Sequence, residues 1–164
     1  MIRIVLAFIV IICALLTGNW FSQKLTRRCN ELQILIETIE KIKTHIYFGG
    51  YEITRVVTQS FSGAEGFDYF KNIENTDDFL HWWKEGGKSL FNTTALNQKD
   101  IEIVLRFGEG LGVTDVQGQV ANCELYKKMF LDRLDKAKDA ETKNSKLYKV
   151  VSVSVGCILT LVVL

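Results

Sequence analysis

The sequence predicts an all-α protein, an antiparallel helical bundle flanked by N- and C-terminal transmembrane helices. Three observations carry that reading. The 164 residues include no proline, the residue that interrupts helices and favours turns. Apolar residues in the middle of the chain recur at three- and four-residue steps, the spacing of one helix face. Both ends are apolar while nearly all charge is held between them: Ile4–Leu16 has no polar side chain beyond Cys13, and Val150–Leu164 has no charge. Arg3 is the only charged residue outside Lys24–Lys149.

The first run, Ile2–Phe21, spans about 30 Å as a helix, the thickness of a bilayer core. An early Arg before an apolar run also begins a signal peptide, but no small-residue cleavage site follows. Ile12 stands before Cys13 where lipoprotein acylation needs a small residue. Trp20 and Phe21 suit an interfacial belt, with Lys24, Arg27 and Arg28 just beyond. An uncleaved anchor over 1–23 is expected. The second run, Val150–Leu164, reaches only about 22 Å; Leu147 and Tyr148 lengthen it and Lys149 can snorkel. A second anchor is expected over 149–164. Basic residues flank both inner ends, Lys136, Lys138, Lys143, Lys146 and Lys149 on the second side. The rule of positive flanks then puts the segment 24–148 in the cytoplasm of a two-pass membrane protein.

Within that segment, Leu25, Cys29, Leu32, Ile36, Ile39, Ile42 and Ile46 form an apolar stripe that continues the first span to Tyr47 or Phe48. Gly49-Gly50 ends it. A second helix carries Ile53, Val56, Val57 and Phe61. After the loop Ser62–Gly66 comes a short helical piece around Phe67–Ile73. Thr76 is expected to cap a third helix bearing Phe79, Leu80, Trp82 and Trp83, weakened at Gly86-Gly87. Asn97 is expected to cap a fourth, with Ile101, Val104, Leu105 and Phe107 inward. At the corner that follows, Gly112 suits the left-handed close of a helix, and Thr114 with Gln117 has the spacing of a capping box. Val116, Val120, Cys123, Phe130, Leu134 and Ala137 then run a last long helix into the final apolar run. The tryptophans and phenylalanines are core by default.

No catalytic, cofactor-binding or metal-ligating set emerges. Gly86-Gly87-Lys88-Ser89 ends like a phosphate-binding loop, but the full pattern needs glycine where Trp82 stands. Gly108, Gly110 and Gly112 miss the dinucleotide fingerprint at Val113. The four cysteines form no C-x-x-C pair, and the two histidines, His45 and His81, lack a second ligand at helical spacing. Basic and acidic residues number 20 and 19, which excludes the basic surplus of a nucleic-acid binder. Residues alone therefore leave two readings open: a membrane-anchored assembly subunit, or a membrane-tethered regulatory or signalling helical domain. Neither is an enzyme.

The chain resembles, end to end, the stage III sporulation protein AB family of endospore-forming bacteria. The most specific match is Phe107-Gly108-x-x-Leu111-Gly112-x-x-Asp115-x-x-x-Gln119. A departure is Gly49-Gly50-Tyr51, where family members often have a proline-containing corner; the glycine loop at 62–66 is another. The resemblance implies a platform or assembly subunit of the secretion-like channel complex between mother cell and forespore, required for sporulation. It also implies a bundle similar to the type II secretion F domain. The implied partners are the membrane, the complex's secretion-type ATPase and its other membrane subunits, and the implied location is the mother-cell membrane facing the forespore. Leu111, Gly112, Thr114, Asp115, Gln117 and Gln119 are the candidate structural or interaction corner.

Overall fold

The computed structural model describes the backbone of residues 2–49, 52–72 and 78–163, with side chains over 22–49, 52–72, 78–144 and at 151. Those residues form five α-helices and one 3-10 turn: α1 Ile2–Phe48, α2 Ile53–Phe61, the 3-10 turn Asp68–Lys71, α3 Phe79–Thr93, α4 Gln98–Glu109 and α5 Val116–Val163. No strand occurs among them. The all-helical expectation holds. Among the described residues no helix is long and apolar enough to cross a membrane. The two expected spans are helical in backbone over 2–23 and 149–163, but apart from Ser22, Gln23 and Val151 their side chains lie outside what is described.

The chain divides into two compact units. One comprises Met1–Arg27 and Lys136–Leu164, the outer stretches of α1 and α5. There Thr26 Oγ1 donates to Glu141 Oε1 at 2.5 Å, joining the two helices. The other, Arg28–Asp135, holds the core. Its α1 and α5 stretches run antiparallel, as the ion pairs Glu40–Lys127 (2.7 Å) and Lys43–Glu124 (2.6 Å) show.

The stripe of α1 does bury Cys29, Leu32, Ile39 and Ile42, joined by Leu35. Leu25, Ile36 and Ile46 are only half-buried, on the flanks of that face. Across the core runs an aromatic chain: Phe61 stacks on Phe70 at 4.9 Å, Phe70 meets Trp83 at 4.8 Å, Trp83 meets Phe107, and Phe107 meets Tyr126 on α5. Such pairs contribute about 0.5–1.5 kcal/mol each beyond the area they bury. Core placement fails for Phe48 and Phe91, which are 82% and 56% exposed. Val116, expected inward, is exposed as well, because it is the first residue of α5 and sits beyond the packed face.

Three local expectations change. Asp78, immediately before Phe79, caps α3 by accepting the His81 N–H at 2.9 Å; Thr76 and Asp77 lie outside the described residues. Gly86-Gly87 does not weaken α3, which continues unbroken to Thr93. Both glycines are buried contact points instead. A Cβ on Gly86 would sit 2.7 Å from the rings of Tyr69 and Phe70, and one on Gly87 would press into Leu105. The helix tolerates the poor propensity of glycine, about 1 kcal/mol each, because only glycine lets those neighbours pack so close. The third change is the cap of α5, at the corner below.

Candidate functional site

The corner joins α4 to α5. Past the last helical residue of α4, Glu109, the N–H groups of Gly110 and Leu111 turn back to Phe107 O and Gly108 O. Leu111 is buried. Gly112 then takes φ +77°, the left-handed conformation expected of it, though two residues beyond the helix cap rather than next to it. The cap of α5 is Asp115, not Thr114. Its carboxylate Oδ1 accepts the Gly118 N–H at 2.9 Å, and Val116 opens the helix. With the frame moved by one residue, the third helical position falls on Gly118, which has no side chain to complete a capping box. Thr114 and Gln117 are exposed and form none. Gly118 has its own reason to be glycine: a Cβ there would lie 2.6 Å from Thr114 Oγ1.

Gln119 is buried and ties the corner shut, its Nε2 donating to Thr114 O at 3.3 Å and its backbone N–H to Asp115 O at 2.9 Å. Its Oε1 and the Nδ2 of Asn122, one turn on, are buried without a hydrogen-bond partner among the described residues. Of the six candidate residues, Leu111, Gly112, Asp115 and Gln119 thus build the turn, while Thr114 and Gln117 face solvent beside them. Val113, between Gly112 and Thr114, is 70% exposed.

A second polar cluster had no sequence signal. Asp100, in the first turn of α4, is fully buried. Its carboxylate accepts from Arg28 of α1 (Nε at 2.8 Å, Nη2 at 3.2 Å) and from Arg133 of α5 (Nε at 2.7 Å). It also accepts the Asn97 N–H at 3.1 Å, while Asn97 Oδ1 takes the Asp100 N–H at 3.0 Å and Arg133 Nη2 at 3.1 Å. The predicted Asn97 cap is therefore a reciprocal box, with two arginines latched onto it. Burial by itself raises the Asp100 pKa, but the hydrogen bonds from Arg28, Arg133 and Asn97 outweigh it and hold the carboxyl below the ordinary range. Glu31, another buried carboxylate of α1, accepts the Ala95 N–H at 2.6 Å just before α4. Two acidic side chains thus order the α3–α4 connection.

Elsewhere the described side chains carry little chemistry. Glu40 is held below its usual pKa, by the hydrogen bond from Lys127 first and then that from Lys43, and Lys43 is raised by Glu124 and Glu40. These are surface pairs and contribute little to stability. Burial pushes the Cys123 thiol up to about 12, so it is not a nucleophile. Among the described residues no three His, Cys, Asp or Glu side chains converge to hold a metal. An open hollow of about 360 Å³ along α1 is lined by Glu37, Glu40, Lys41, Thr44 and His45, all from one helix face.

Fold and clusters together define a class: an all-helical protein whose polar side chains brace helix ends. The family follows from comparison. The profile described as stage III sporulation protein AB matches residues 3–164, and the chain belongs to that family. It is 21% identical over 173 residues to stage III sporulation protein AB of Bacillus subtilis (strain 168), with 100% of each chain covered. No solved structure matches it.

Proposed function

We propose that this chain is a membrane-anchored platform or assembly subunit of the secretion-like channel complex between mother cell and forespore, with no catalysis of its own. Membership of the family supports a role in sporulation. The observation that carries the finer reading is the form of the two longest helices. α1, of 47 residues, and α5, of 48, are each uninterrupted, with an apolar run at the outer end and core-forming residues further in. In this reading the runs anchor the chain twice in the mother-cell membrane facing the forespore, and the folded unit lies in the cytoplasm. That unit, similar to the type II secretion F domain, docks the complex's secretion-type ATPase and neighbouring membrane subunits. The exposed Thr114, Asp115 and Gln117 of the corner offer it polar contacts, and the exposed Tyr47, Phe48 and Val113 offer apolar surface.

The test is a tagged full chain expressed in a sporulating host that lacks its own copy. It should restore spore formation and co-purify with the ATPase and the ring-forming subunits. Normal sporulation without the chain, or recovery of the chain free of every channel component, would reject the proposal.

A further inference from the structure

Between Lys24 and Lys149 basic and acidic residues balance at 19 each, but the two units do not share them evenly. The unit Arg28–Asp135 has 12 basic and 17 acidic residues, a formal charge of −5. The unit made of Met1–Arg27 and Lys136–Leu164 has 8 basic and 2 acidic, a formal charge of +6. In the second unit all basic residues except Arg3 lie in the short polar stretches next to the apolar runs. Lys24, Arg27, Lys136, Lys138 and Lys143 are exposed there. One of the two acids, Glu141, already accepts a hydrogen bond from Thr26.

We propose that this basic collar binds the headgroups of anionic phospholipids. The inference rests on the membrane-anchored reading, which places the collar where a phosphate surface lies. Lys143 is seven residues from Val150, about 10 Å along a helix, which is about one Debye length at 0.1 M salt. Clusters of four to eight Lys and Arg beside a membrane helix attract anionic lipid in this way. The collar is mostly lysine, a hydrated point charge on a flexible stem, unlike the planar fork with which arginine makes bidentate phosphate contacts. It therefore selects for headgroup charge, not headgroup shape. The net negative charge of the other unit gives that unit no such attraction, so selectivity belongs to the collar alone. A second copy's acidic unit is the rival occupant, and the experiment distinguishes it.

The full chain is reconstituted into vesicles of equal parts phosphatidylcholine and phosphatidylglycerol, washed at alkaline pH and floated. The lipids retained on subsequent purification in mild detergent are then counted by class, together with the oligomeric state. Wild type should retain phosphatidylglycerol in roughly five-fold excess at low salt, the factor that one basic residue near the surface supplies. The excess should vanish at high salt and in the Lys24→Gln/Lys138→Gln/Lys143→Gln variant, which still floats. Equal retention of both lipids by a wild-type chain that floats overturns the proposal. Loss of self-association in the variant with no change in lipid ratio also overturns it, in favour of a second copy. A wild-type chain that fails to float with any vesicle overturns the anchor reading together with the proposal.

Discussion

Asp100 shows how much one buried carboxylate can hold. It joins α4 to both long helices through Arg28 and Arg133, and the arginine side chains keep only 14% and 17% of their surface. Asp100→Asn leaves two guanidinium groups without their counter-charge. It should cost about 3 kcal/mol in denaturant unfolding, the low end for a broken buried pair because the arginines retain some water. The pH dependence has a definite sign. The folded carboxyl binds its proton less readily than the unfolded one, whose pKa is about 3.9. The latch therefore stabilises the fold above that value and is lost as pH falls through the lower folded-state pKa. The acid-unfolding curve of Asp100→Asn should be correspondingly flatter than that of wild type. At the corner, Asp115→Ala should cost about 0.5–2 kcal/mol as the loss of a cap, and Thr114→Ala clearly less; the reverse order would restore Thr114 as the cap. Cys123, with its pKa near 12 and its side chain buried, should resist alkylation in the native protein and react only on unfolding.

At the scale of elements, packing in this protein is governed by where glycine admits a neighbour. Trp83 of α3 lies on α4 with its indole N–H donated to Val104 O at 3.0 Å, and a Cβ on Gly108 would strike that indole. Gly108→Ala should therefore cost about 1–3 kcal/mol as overpacking and shift the tryptophan fluorescence. Gly87→Ala meets the end of a flexible leucine and gains about 1 kcal/mol of helix propensity, so it should be far milder. Equal effects on thermal unfolding would show that propensity, not contact, governs these positions. The sequence identified the glycine-rich stretches but read Gly86-Gly87 as a weak point, since propensity is local and the approach of Phe70 and Leu105 is not. For the same reason the helices were legible, their stripes being periodic, while the latch was not. Arg28, Asp100 and Arg133 are separated by 72 and 33 residues and share no spacing rule. The cap of α5 was misplaced by one residue because Thr114 and Asp115 are adjacent and both can cap; the Thr-x-x-Gln spacing favoured the wrong one.

For the whole molecule, the central claim is that both apolar runs enter the membrane from the same side and leave the folded unit in the cytoplasm. The family match covers the chain from residue 3 to residue 164, both runs included, and basic residues flank their inner ends. With Cys13 and Cys157 replaced by Ser, the claim is testable without interference from native thiols, since the remaining two, Cys29 and Cys123, are both buried. A single reporter, Lys88→Cys, places a thiol on the solvent face of α3, where the lysine is 68% exposed and pairs with Glu85 on the same helix turn. The measurement is labelling of that cysteine by a membrane-impermeant maleimide in intact cells and after permeabilisation, with the chain first shown to stay in the membrane fraction through an alkaline wash. The proposed topology predicts no labelling in intact cells and full labelling once the membrane is opened. Labelling from outside intact cells, or release of the chain by the wash, would contradict it.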